Sequence, residues 1–198
     1  MASTSQAIGF LGGRFDPVHT GHVHLALDSL ESLGLDKVYF VPSEQTPLKG
    51  TEPGASAGDR LAMLEYVVAT DSRLDILTWE LEQGGAVYSI DTARYLAERW
   101  PEAKRYWIIG MDQLAQLDRW HDFSELVDLV EFIVFDRPGY SFGDAPDIPN
   151  LSLHRLEGHC LDISSTELRS ELRKGRLHGL CLPEAASQYI QSHKLYKE

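Results

Sequence analysis

The chain has 198 residues, 43% of them hydrophobic and 24% charged, with a formal net charge of −12. Such totals describe a soluble globular protein with a core to bury, and they argue against a polynucleotide partner, since no basic stripe stands out. A mononucleotide needs only a few local cations, so it stays admissible. No apolar run approaches the roughly 20 residues of a membrane helix. The polar leader Met1–Gln6, expected to be disordered, lacks the pattern of a secretory signal. Cys160 and Cys181 have neither C-x-x-C nor zinc spacing, so reduced thiols and a cytoplasmic setting are expected.

Ala7-Ile8-Gly9-Phe10-Leu11 is an apolar run suited to a buried parallel strand. Gly12-Gly13-Arg14-Phe15-Asp16-Pro17-Val18-His19-Thr20-Gly21-His22 follows as a glycine turn. Val23, Ala26, Leu27, Leu30 and Leu33 then recur at helical spacing up to a stop at Gly34. Adjacent glycines let a backbone approach a bulky ligand, and a helix N-terminus suits phosphate. His19 and His22, three apart, share a face if the helix has begun. The chemistry is that of a phosphate cradle with imidazole donors. It is spelled neither as G-x-x-x-x-G-K-[ST] nor as G-x-G-x-x-G.

Lys37–Pro42 predicts a second strand, and the Pro- and Gly-containing stretch from Ser43 to Ala57 a loop carrying Lys49. Asp59 opens a helix with Leu61, Leu64, Val67 and Val68 as its buried stripe, and Leu74–Leu81 reads as a strand. A helix from Ile90 to Trp100 has Ser89 as its cap. Arg105–Gly110 reads as a central strand, followed by a helix from Met111 or Asp112 and a short one over Phe123–Leu129. Glu131–Phe135 is another strand, Tyr140–Asn150 a loop, and Leu151–Leu156 a last, weaker strand. Helices over Ser164–Lys174 and Pro183–His193 complete the chain. The alternation predicts an α/β fold, a doubly wound parallel sheet with C-terminal helices, in a single domain over 1–198. Ligands of such sheets sit at the carboxyl ends of the strands. The first turn, the Lys49 loop, Gly110-Met111-Asp112 and Arg137 all follow strands and converge there.

The order G-x-F-D-P-x-H-x-G-H resembles the signature of the nucleotidylyltransferase superfamily. Ile163-Ser164-Ser165-Thr166-Glu167-Leu168-Arg169 is similar to its I-S-S-T-x-I-R element, with leucine for isoleucine. By itself that stretch is a helix cap that can equally hydrogen-bond a phosphate. Within the superfamily the resemblance from Ile8 to Tyr196 is to the bacterial nicotinate mononucleotide adenylyltransferases, which have a Rossmann-like fold. Ile108–Asp112, Trp120, Arg137–Tyr140 and Tyr189-Ile190-x-x-His193-x-Leu195-Tyr196 also carry it. The chain departs where many members have histidine before the loop lysine, reading Leu48-Lys49, and where Tyr88-Ser89 replaces a Tyr-Thr pair.

The resemblance implies adenylyl transfer from ATP to nicotinate mononucleotide, with loss of pyrophosphate and Mg²⁺ carried by the ATP phosphates. His19, His22 and Arg169 would be catalytic. ATP would be bound by Gly12, Gly13, Phe15, His19, His22, Lys49, Gly110, Asp112, Ile163, Ser165, Thr166 and Arg169. The mononucleotide would meet Arg14, Asp16, Tyr88, Ser89, Thr92, Trp120 and Arg137. Asp16 by itself is open between ordering the loop, holding a metal-bound water and forming an Asp-Pro turn. No protein metal ligand is assigned, no membrane or polymeric nucleic acid is expected, and a homo-oligomer is admissible. Rival readings are a phosphopantetheine adenylyltransferase or a cytidylyltransferase, a metal hydrolase using His19, His22 and His24, and an inactive nucleotide sensor. The hydrolase lacks the i, i+4 zinc pair with its glutamate.

Overall fold

Residues in successive strands alternate between two apolar layers, and that alternation builds the protein. The computed structural model describes residues 5–44, 54–136, 148–156, 163–176 and 181–197. Strands β1 (Ala7–Gly13), β2 (Lys37–Pro42), β3 (Leu74–Ile76), β4 (Lys104–Gly110), β5 (Glu131–Phe135) and β6 (Leu153–Leu156) form one six-stranded sheet, in the order β3-β2-β1-β4-β5-β6. All its pairings are parallel. Ile8, Phe10, Trp107, Ile109, Phe132 and Val134 face one layer. Leu11, Val38, Phe40, Ile108, Ile133 and Phe135 face the other. Both faces being apolar is what a parallel sheet covered on both sides requires.

Helices α1 (Thr20–Leu33) and α2 (Ala57–Val68) cover one face, together with α7 (Ser165–Arg173) and α8 (Glu184–Ser192). Helices α4 (Ser89–Arg99), α5 (Met111–Leu114) and α6 (Phe123–Leu129) cover the opposite face. Strand order reverses between β1 and β4, so a crevice opens beyond their carboxyl ends, where doubly wound sheets place ligands. The turn after β1 and the segment Gly110–Asp112 after β4 both lie there.

Several elements differ from the sequence expectation, each for a tertiary reason. The third strand stops at Ile76, and helix α3 (Trp79–Gln83) takes up the remainder. There Trp79 stacks on Tyr95 with ring centroids 4.7 Å apart. Glu80 is buried. These contacts with α4 override the partial alternation. In α2 the deepest positions are Arg60, Met63, Leu64 and Val67, while Leu61 and Val68 are only half-buried. Ser56 caps this helix, its hydroxyl accepting from the Asp59 N–H at 3.1 Å. Ser89 is not the cap of α4 but its first residue, after Tyr88. Gly34 ends α1 in the left-handed conformation, φ 61°, as a helix-stopping glycine should.

Candidate active site

The connection from β1 to α1 gathers hydrogen bonds from α2, from the start of α7 and from the chain beyond α8. Gly12 and Gly13 belong to β1 itself, so the turn proper is Arg14–His19. A Cβ on Gly12 would sit 3.4 Å from the Trp107 ring, and one on Gly13 3.3 Å from the Phe15 ring. A side chain would press the Phe15 ring at Gly13, whereas at Gly12 it would only reach ordinary contact with Trp107. Phe15 is buried with a left-handed backbone, φ 50°, and the Asp16–Pro17 peptide is cis. The Phe15 ring meets Phe40 edge-on at 5.4 Å and His22 at 5.0 Å.

His19 is the N-cap residue of α1, and its ring stacks on that of His22, centroids 3.6 Å apart. The His19 N–H donates to His22 Nδ1 at 3.3 Å, which leaves the proton of a neutral His22 ring on Nε2. Burial, and then the neighbouring His19, hold the His22 pKa well below the usual histidine value. His22 is thus a neutral imidazole with a single N–H to offer.

The start of α7 closes on this turn. Ser164 caps α7, accepting from the Glu167 N–H at 3.2 Å. Ser165 Oγ donates to the Pro17 carbonyl at 3.0 Å, and Arg169 Nη1 donates to the Asp16 carbonyl at 2.8 Å. Arg169 folds back toward the helix start, where its Nη2 reaches Thr166 Oγ1 at 3.4 Å. Thr166 is exposed and Ile163 half-buried at the same end. The two motifs that the sequence singles out are joined by direct hydrogen bonds.

Asp16 has both oxygens engaged. Its Oδ1 accepts from Tyr196 Oη at 2.7 Å and from the Ala55 N–H at 3.0 Å, and Oδ2 faces Arg14 Nη2 at 3.3 Å. The geometry accords with two of its alternatives at once, the Asp-Pro turn and the ordering of the neighbouring segment at Ala55. Arg60, which the sequence reading passed over, stands behind the turn. Its Nη1 donates to the Arg14 carbonyl at 2.6 Å and the Ser43 carbonyl at 2.8 Å. Burial pulls the Arg60 pKa down, with Arg14 adding to the effect. The signal for Arg60 was a lone cation inside an apolar helical stripe.

Of the residues assigned to the mononucleotide, Arg14 and Asp16 sit in the β1–α1 turn, Tyr88, Ser89 and Thr92 at the start of α4, and Trp120 before α6. Tyr88 is exposed, its ring 4.6 Å from that of His121, while Ser89 and Trp120 are half-buried. Trp120 meets Phe132 edge-on at 6.5 Å. Thr92 departs from its expected place at the substrate: it is fully buried, and its hydroxyl donates to Glu80 Oε1 at 2.6 Å. The hydroxyl is spent on joining α4 to α3. Gly110 and Asp112 are half-buried, and a Cβ on Gly110 would lie 2.6 Å from Asp112 Oδ1. Lys49 and Arg137 lie outside the described residues. Among the described residues, no group of three or more His, Cys, Asp or Glu side chains is arranged to hold a metal.

Known proteins resemble this chain in both sequence and fold. The cytidylyltransferase-like family matches residues 10–171. A probable nicotinate-nucleotide adenylyltransferase of Opitutus terrae is 47% identical over 190 residues, covering 96% of this chain and 97% of that protein. One from Herpetosiphon aurantiacus is 37% identical over 197 residues, covering 96% and 98%. In fold, the chain is similar to Plasmodium falciparum nicotinic acid mononucleotide adenylyltransferase complexed with NaAD. The TM-score is 0.77 at 20% identity, covering 96% of this chain and 97% of that one. The chain belongs to the cytidylyltransferase-like family and, within it, to the nicotinate-nucleotide adenylyltransferases.

Proposed function

We propose that the protein transfers the adenylyl group of ATP to nicotinate mononucleotide, releasing pyrophosphate and forming the deamido dinucleotide NaAD. The observation that carries this reading is the joining of the β1–α1 turn to the start of α7 through Ser165 and Arg169. Through these bonds the turn that carries His19 and His22 is tied to the capped start of α7 and to the Arg169 guanidinium, which supports a shared triphosphate site. Family membership supports the same reaction.

The phosphate of a mononucleotide has its second pKa near 6 and is already largely dianionic at neutral pH. It attacks the α-phosphorus without needing a general base, as one P–O bond forms and the bond to pyrophosphate breaks. Catalysis then consists of holding two polyanions in line and neutralising charge as it develops. In this reading His22 donates through Nε2 to the α-phosphate, and His19 to a neighbouring phosphate oxygen. Lys49 and Arg169 take the β- and γ-phosphates with Ser165 and Thr166, and Gly12, Gly13, Phe15, Ile163, Gly110 and Asp112 line the ATP side. Arg14, Ser89, Tyr88, Trp120 and Arg137 serve the mononucleotide, its pyridine ring against Trp120 and its carboxylate at the start of α4.

Magnesium fits as an ion brought by the substrate. Asp16 spends its oxygens on Tyr196, Ala55 and Arg14, so the ATP phosphates would hold the metal and share their charge with it. A cytoplasmic location accords with the reading, and no described helix is long and apolar enough to cross a membrane.

The test is pyrophosphate release from MgATP with nicotinate mononucleotide, nicotinamide mononucleotide or phosphopantetheine as acceptor. Turnover is expected with nicotinate mononucleotide and is expected to stop on chelation by EDTA. Faster turnover with phosphopantetheine would overturn the substrate assignment.

A further inference from the structure

The reaction as proposed leaves one well-built contact without a part: the hydrogen bond from Tyr196 to Asp16. Asp16 is 1% exposed, and its carboxylate joins segments distant in sequence. Tyr196, beyond α8, donates to Oδ1 at 2.7 Å, and the backbone N–H of Ala55, from the segment following Lys49, donates to the same oxygen at 3.0 Å. Oδ2 faces Arg14, and the Asp16 carbonyl takes Arg169. Gly54 runs so close that a Cβ there would fall 1.9 Å from Oδ2. The backbone after the Lys49 loop is therefore laid directly on the carboxylate.

Tyr196 is not placed there by an easy local conformation. Its φ is 61° and that of Lys194 is 55°, in the left-handed region that residues other than glycine enter rarely. Such conformations persist where surrounding contacts over-determine them. The ring packs against the apolar layer under α1 and α2, which a phenylalanine would do equally well. Only the hydroxyl reaches Asp16. Burial, and then Asp16, raise its pKa, so the hydroxyl keeps its proton and remains a donor across the working pH range.

We propose that Tyr196 is a positioning residue for adenylyl transfer. By fixing the Asp16 carboxylate it sets the register between the turn carrying His19 and His22 and the Gly54–Ala55 segment that follows Lys49. The role rests on the transferase reading above, because its effect on turnover is felt through the groups assigned to the triphosphate. Tyr196 touches neither substrate in this scheme, so its removal should alter kcat more than KM.

The test uses Tyr196→Phe, Asp16→Ala and the double variant, assayed far below each variant's melting temperature so that all are folded. Tyr196→Phe is expected to lower kcat about tenfold or more, tenfold being the lower edge of what a hydrogen bond to a charged group is worth, with KM for ATP and for the mononucleotide nearly unchanged. On the Asp16→Ala background the same substitution should cost nothing further, because alanine offers the hydroxyl no acceptor and both changes act through one contact. Amide hydrogen exchange at Ala55 should quicken about tenfold in Tyr196→Phe, as local opening becomes easier. That last measurement does not depend on catalysis. Wild-type kcat in Tyr196→Phe would overturn the proposal, as would a full repeat of its loss on the Asp16→Ala background or unchanged exchange at Ala55. A wild-type protein inactive with nicotinate mononucleotide would defeat the substrate reading instead, leaving the exchange experiment to judge the Tyr196–Asp16 link.

Discussion

His22 carries the heaviest chemical assignment of any single side chain. Its ring is wedged between His19 and Phe15 and is kept neutral there. A donor that contacts charge developing in the transition state is worth about 10²–10³ in rate. His22→Ala is accordingly expected to lower kcat by that factor in protein that is still folded. It should lower the melting temperature as well, because the His19 N–H loses its acceptor and two rings lose their neighbour; pyrophosphate release and calorimetry measure the two. Bound triphosphate should also favour the imidazolium, so ATP binding near pH 6 is expected to take up protons. Isothermal titration in buffers of different ionisation enthalpy reads this uptake directly; an identical heat in every buffer would deny it.

Glu80 shows the opposite sign at the same scale. Burial pushes its pKa up to about 7, only partly offset by the Thr92 hydroxyl. A carboxyl raised in the folded state binds protons more tightly there than when unfolded. Its stabilisation is complete below the unfolded value of 4.5 and disappears as pH climbs through about 7. Glu80→Gln should therefore be more stable than the wild type at pH 8, by up to about 3 kcal/mol, and no more stable at pH 4. Denaturant midpoints at the two pH values decide it.

At the scale of elements, the site depends on how segments are tied rather than on any one helix. Arg60 of α2 joins the carbonyl of Arg14, in the turn, to that of Ser43, just after β2. Replacing it by methionine keeps much of the volume but strands two buried carbonyls. Arg60→Met is expected to cost about 2–4 kcal/mol of stability and to reduce turnover in protein that is still folded. Urea titration followed by a rate assay separates the two effects. Helix α7 likewise does more than end the chain's alternation: its Ser165 and Arg169 are the bonds that hold the turn shut.

For the molecule as a whole, the reversal of strand order at β1 and β4 creates the crevice, and close approach at β1 keeps it in shape. A Cβ on Gly9 would lie 2.9 Å from both Leu35 and Val38, and 3.2 Å from Ile108. Gly9→Ala should cost about 1–3 kcal/mol through overpacking, seen as a lower melting temperature, although Gly9 lies at the opposite end of β1 from the turn. Strands β1, β2, β4 and β5 were legible because long apolar runs bounded by Gly, Pro or charge leave few alternatives. The strand at Leu74 was legible too, but its end was not, because contacts of Trp79 and Glu80 with α4 set the conformation beyond Ile76.

Taken alone, the order of residues determined the α/β class, the parallel sheet and the pairing of a His-x-Gly-His turn with a Ser-Ser-Thr helix start, since these are local patterns of period and residue type. Tertiary structure decided that Thr92 faces Glu80, that Arg60 braces the turn and that Tyr196 holds Asp16. Those partners lie 12, 46 and 180 residues apart. No local pattern encodes such meetings; they exist only once two apolar layers have packed on the sheet and left each buried polar group to find its counterpart.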